Sequence, residues 1–174
     1  MDERLVDFIN KRADELSLNV VAERYDIRND LPSLYRRAFD VFVFDPVETV
    51  TGFTQWLQRG VSALRGEGRS VYLGMTTQEV GLVKWFQMQK NVISMGVAVT
   101  DVVRRFARYE PTHFDHTFII CKKLGANPER IMWYRSAIWR LELIRDDPQF
   151  ENCTFPREES IYFDQERWAT PVAD

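Results

Sequence analysis

Two carboxylates three residues apart follow an apolar run in Phe39-Asp40-Val41-Phe42-Val43-Phe44-Asp45-Pro46-Val47-Glu48-Thr49. Phe39 to Phe44 is nearly continuous in apolar side chains, as a strand covered on both faces requires, and Pro46 ends its ladder. Asp45, just past such a strand, is held by rigid backbone. There it can hold an amine or accept a proton from one. An aspartate at a strand end also serves simply to cap the following turn. Asp26, after the short run Asn19 to Tyr25, has the same two uses, as a hydrogen-bonding partner for a ligand ring or as a turn residue. Glu48 shares the loop with Asp45. Two or three carboxylates on one rim make a negative pocket, in which partial desolvation strengthens ion pairing with a cation.

Other residues carry weaker chemistry. Tyr109, Phe114, Trp133 and Tyr134 could line a cation by their ring faces, although Trp133 and Tyr134 enter a strand-like segment and suit core packing. His113 and His116 flank Asp115, but nothing else supplies ligands, so no metal is expected. Cys121 and Cys153 are isolated thiols with no CxxC spacing. Arg104-Arg105 reads as a solvated face. Gly66-Glu67-Gly68 reads as a turn and not a phosphate loop, because it opens no helix.

The 174 residues suffice for one domain with a core, and 45% hydrophobic with 13% aromatic residues argues against disorder. A net charge of −3 from 23 basic and 26 acidic residues gives no footprint for nucleic acid. A signal-like start and a long apolar run are not found, so a cytoplasmic protein without a membrane partner is expected.

The elements that must position these residues alternate. Leu5, Phe8, Ile9, Ala13 and Leu16 recur at helical spacing. Strands follow at 19–25 and 39–44, then a helix at 51–64 carrying Phe53, Trp56, Leu57, Val61 and Leu64. A strand at 70–75 leads to a helix beginning at Thr77, with Val80, Val83, Phe86, Met88 and Ile93 as its apolar face, ended by Gly96. A strand at 97–103 and an alternating, aromatic-rich segment at 133–144 complete the order. The last reads as an antiparallel strand near an edge. Alternating strands and helices predict an α/β fold with a parallel sheet. Ligands of such sheets bind at the carboxyl ends of the strands, so Asp26, Asp45 and Glu48 are expected on one rim.

Three stretches, Asp2-Glu3-Arg4-Leu5, the Phe39–Thr49 segment and Trp133-Tyr134-Arg135-Ser136-Ala137, stand in order with Arg59-Gly60 and Gly66-Glu67-Gly68 between them. Together they resemble the C-terminal catalytic part of the branched-chain polyamine synthases, the N(4)-bis(aminopropyl)spermidine synthases of archaea and some thermophilic bacteria. The resemblance runs through Tyr162 and Thr170-Pro171. It implies a Rossmann-like sheet of class I methyltransferase type, here without its first strands, and residues 1–174 as one partial domain. It also implies transfer of aminopropyl groups from decarboxylated S-adenosylmethionine to spermidine, with a polyamine partner and no tightly bound cofactor.

Residue by residue, Asp45 matches the carboxylate of the family's Asp-Pro-Pro motif, with Val47 in place of the second proline. Glu48 matches the following Glu and, with Tyr109, falls on the substrate side. Asp26, next to Ile27, matches the acidic position near the adenine, and Asp2 lies on the same donor side. The family's acidic Gly-Asp-Asp-Asp loop, which precedes the Asp-Glu-Arg segment, does not occur in this sequence. The chain is therefore expected to be a fragment, a mis-started reading frame or a degenerate homologue, to self-associate as a homo-oligomer, and to turn over little alone. A methyltransferase using S-adenosylmethionine and a non-catalytic oligomerising module are the alternative readings.

Overall fold

The computed structural model describes residues 2–76, 80–108, 122–125, 135–146, 161 and 162, in two units, Met1–Asp30 and Leu31–Asp174. In the first unit, α1 spans Glu3–Glu15. The Asp2 side chain accepts from the Arg4 N–H at 3.0 Å and caps it. The Arg4 guanidinium, 2.6 Å away, also holds the Asp2 carboxyl below its ordinary value.

The expected strand at 19–25 does not form. The segment has no regular structure. A strand needs a ladder, and here a side chain supplies the ladder's bonds. Asn10 Oδ1 accepts from the Ala22 N–H at 2.7 Å, and Asn10 Nδ2 donates to the Ala22 carbonyl at 3.0 Å.

The second unit holds β1 (Val41–Phe44), α2 (Val50–Ala63), β2 (Arg69–Met75), α3 (Leu82–Ser94), β3 (Val97–Arg108) and β4 (Arg135–Leu143). They form a four-stranded sheet ordered β1-β2-β4-β3. β1 and β2 are parallel, and β4 runs antiparallel to both of its neighbours. β4 is therefore antiparallel as expected but lies inside the sheet, not near an edge. Its alternating, mostly half-buried pattern follows from that position.

The two crossovers, β1-α2-β2 and β2-α3-β3, move the same way across the sheet. Right-handed connections then place both helices on one face. There α2 and α3 meet through Asn91 Nδ2, which donates to Thr54 Oγ1 at 2.8 Å. The core lies between that face and the helices. It includes Phe44, Phe53, Leu57, Val71, Leu73, Met88, Leu141 and Leu143, with Trp85 against Trp139 at 4.7 Å between ring centroids. On β1 only alternate residues are covered. Phe44 is buried, whereas Val41 and Val43 are half and two-thirds exposed. The apolar run is thus covered on one face only, a correction of the two-sided burial expected for it.

The apolar face expected for α3 is met in part. Val80 and Met88 are buried as expected, together with Lys84, Trp85 and Val92, whereas Val83, Phe86 and Ile93 are exposed. Apolar residues populate both sides of this helix, so periodicity alone could not choose between them.

Gly60 brings α2 onto β1. A Cβ there would lie 1.9 Å from Cε1 of Phe42. Alanine at this site gains about 1 kcal/mol of helix propensity, but the clash costs about 1–3 kcal/mol or more. Gly60→Ala is therefore expected to lower stability by about 1–2 kcal/mol in urea denaturation. An increase would show that the ring moves aside freely.

In the first unit, the Arg28 guanidinium, 2.6 Å from Asp26, lowers that carboxyl from 3.8 to about 2. A depressed carboxyl adds stability above its ordinary value and loses it as pH falls through the depressed one, here between about 4 and about 2. Because the pair is partly exposed, that contribution is small. A carbon-13 titration should place Asp26 near 2, and Arg28→Gln should return it toward 3.8. A midpoint near 3.8 in both proteins would contradict the pairing.

Candidate functional site

The parallel register pairs Phe44 with Leu73, so the next residues, Asp45 and Gly74, stand opposite each other on the face away from the helices. β2 has no side chain at that point. A Cβ built on Gly74 would lie 3.3 Å from both the Asp45 carboxyl carbon and its Oδ1. The Asp45 carboxylate therefore occupies the space that any other residue at 74 would fill.

β4 continues the same surface. Gly74 pairs with Ile138, and Ser136 is buried. Val43, Phe44, Asp45, Gly74, Phe106, Ala107, Ser136, Ala137 and Ile138 line an open cleft of about 300 Å³, at the small end of ligand-site volumes. Apart from Asp45 and Ser136 its side chains are apolar, so a cation entering it is partly desolvated beside one carboxylate. Such a place can bind an alkylammonium and take a proton from an amine.

The loop after Asp45 is held from several sides. Lys84, nine-tenths buried on α3, donates from Nζ to the Glu48 carbonyl at 3.0 Å. Thr49 is fully buried. Its hydroxyl oxygen accepts from the Gly52 N–H at 3.0 Å, capping α2, and donates to the Ile161 carbonyl at 2.5 Å. One side chain thereby joins the start of α2, the loop and a residue 112 positions later. The tail contact had no signal in the sequence. The cap had one, a threonine directly before a helical stripe.

The expected site residues distribute as follows. Asp45 lines the cleft and Glu48 follows on its loop. Asp26, Ile27 and Asp2 belong to the first unit. There Asp26 closes its own turn by accepting from the Arg28 N–H at 3.0 Å, and Ile27 is buried. Tyr109 lies outside the described residues, as do Phe114, Trp133, Tyr134, both histidines and both cysteines. Phe106, which lies beyond the strand expected at 97–103 but within β3, lines the cleft. Among the described residues no three His, Cys, Asp or Glu side chains converge as metal ligands, and no helix is long and apolar enough to cross a membrane.

Comparison with known proteins extends this picture. The chain is 37% identical over 155 residues to an N(4)-bis(aminopropyl)spermidine synthase of Methanocaldococcus jannaschii, covering 87% of this chain and 44% of that protein. It superposes with a TM-score of 0.75 and 30% identity on a mutein of the Thermus thermophilus branched-chain polyamine synthase, solved with N4-aminopropylspermidine and 5'-methylthioadenosine. That match covers 97% of this chain and 48% of the other. An O-methyltransferase of Brevibacillus brevis, in complex with S-adenosyl-L-homocysteine, matches at a TM-score of 0.50 and 13% identity, over 82% of this chain and 56% of that one. This likeness shows the methyltransferase-type α/β fold alone. The chain spans about half the length of the curated relatives it matches. Residues 1–169 match the family described as the branched-chain polyamine synthase A C-terminal domain, and the chain belongs to that family.

Proposed function

We propose that this chain supplies the acceptor-amine side of an aminopropyl-transfer site. The observation that carries the reading is the Asp45 carboxylate seated over Gly74 in a mostly apolar cleft. The T. thermophilus synthase complex, with a branched polyamine and 5'-methylthioadenosine, supports the choice of spermidine as acceptor and decarboxylated S-adenosylmethionine as donor.

In the transfer, the acceptor nitrogen attacks the propyl carbon bound to the sulfonium. A C–N bond forms as the C–S bond breaks, and the electron pair leaves with sulfur as neutral methylthioadenosine. The sulfonium is already a good leaving group. The protein therefore needs only to align the reactants and to take the proton released from nitrogen. Asp45 holds the reacting amine and accepts that proton. Glu48, on the loop pinned by Lys84 and Thr49, attracts a second ammonium. Asp2, Asp26 and Ile27 are assigned to the donor, and Tyr109 to the acceptor. Self-association belongs to the same proposal. β1 is a terminal strand of the sheet and carries the exposed Val41 and Val43.

Spermidine binding measured by calorimetry tests the acceptor site. Asp45→Asn removes the charge at nearly constant size and should weaken binding about ten- to a hundredfold. Gly74→Ala displaces the carboxylate without removing it and should weaken binding by a smaller factor, with circular dichroism unchanged in both variants. Equal binding by wild type and Asp45→Asn would remove Asp45 from the site.

Incubation with spermidine and each nucleoside donor, followed by mass spectrometry, tests the chemistry. An aminopropylated spermidine is the expected product of any turnover. A methylated product would point instead to methyl transfer.

A further inference from the structure

β3 departs from regular pairing next to the cleft. Val103 pairs with Ile138 and Ala107 with Ser136, so four steps along β3 match two along β4. Arg104, Arg105 and Phe106 are left between the two pairs. Arg105 sits in the left-handed region at φ 59°, which is strained for a residue with a Cβ. Bulges of this kind re-aim side chains beside functional sites.

The consequence falls on Phe106. Val103 shares its face with Ile138, a cleft residue. In unbroken alternation Phe106, three residues on, would point to the other face. Inside the bulge that alternation is broken, and Phe106 lines the cleft, 63% exposed. A large aromatic side chain left in water beside a carboxylate-bearing cleft, on strained backbone, gains nothing from core packing.

The sheet order sets the span. Asp45 directly follows β1 and Phe106 lies on β3, at opposite ends of the order β1-β2-β4-β3. Three strand spacings put the two backbones about 14 Å apart. Asp45 and Phe106 nevertheless line one and the same cleft. The ground between them, Gly74, Ala137 and Ile138, suits methylenes.

We propose that Phe106 determines specificity at the far end of this cleft, its ring face receiving an outer ammonium of a linear polyamine whose reacting amine lies at Asp45. An ammonium within about 6 Å of a ring centroid is attracted by the ring's quadrupole. A chain too short to cross from Asp45 does not reach it. Phe106 therefore selects for acceptor length, whereas Asp45 selects for charge. The inference rests on the acceptor-site reading above and extends it to length.

Calorimetry with spermidine and with ethylenediamine, whose two-carbon spacing is shorter than either arm of spermidine, separates the two. Phe106→Leu should lower spermidine affinity about three- to tenfold and ethylenediamine affinity about twofold or less. Phe106→Trp should keep or raise spermidine affinity. Arg105→Gly, which keeps the left-handed backbone while removing the neighbouring charge, should leave both unchanged. Equal losses for the two amines in Phe106→Leu, or no loss for either, would overturn the role of Phe106 while leaving the acceptor site standing. Absence of polyamine binding by the unaltered chain would overturn the acceptor-site reading itself, and this inference with it.

Discussion

The close approach of the Asp45 carboxylate to Gly74 is the constraint on which the rest of the site depends. It arises from three features that must agree. The parallel register of β1 and β2 sets the two residues opposite each other. Pro46 stops the strand one residue later. The missing side chain at 74 leaves 3.3 Å between a virtual Cβ and the carboxyl group. A register slip of one residue would turn Asp45 toward the core, where an unpaired charge is costly. The core residues on the other face, Phe44, Leu73 and Leu141, therefore fix the position of the charge by fixing the register.

The framework around this point works by tying distant parts of the chain to one loop. Lys84 reaches from α3 to the Glu48 carbonyl, and Thr49 bonds both α2 and Ile161. Buried polar bonds of this kind are strongly directional, and losing one partner strands the other. α2 is buried on the side away from the sheet as well, where Gln55, Gln58, Arg59 and Ser62 are nearly inaccessible. The helix that follows the Asp45 loop is thus enclosed on both sides.

Much of this was legible in the sequence, for identifiable reasons. An apolar run stopped by Asp-Pro marks β1, a stripe at helical spacing marks α2, and Gly96 marks the end of α3. Family resemblance singled out Asp45, and the cleft contains it. What failed depended on partners that local pattern does not encode. Asn19 to Tyr25 has strand-like composition, yet the Asn10 amide satisfies the Ala22 backbone in place of a ladder. The outer face of α3 carries Val83, Phe86 and Ile93 beside the buried Trp85, Met88 and Val92, so an apolar stripe read from spacing mixes the two faces. β4 was placed near an edge because its alternation resembles that of an edge strand. Phe106 was invisible because a bulge two residues long leaves no composition signal in Val102-Val103-Arg104-Arg105-Phe106.

On this reading a cationic amine lies between Asp45 and the far wall of one cleft. A nitrogen-15 chemical-shift titration of the chain with spermidine probes that placement residue by residue. The largest amide shifts should fall at Asp45, Gly74, Phe106 and Ile138, and an uncharged diol of similar length should cause none of them. Shifts confined to the acidic residues Asp101 and Glu142, or spread evenly over the surface, would contradict it.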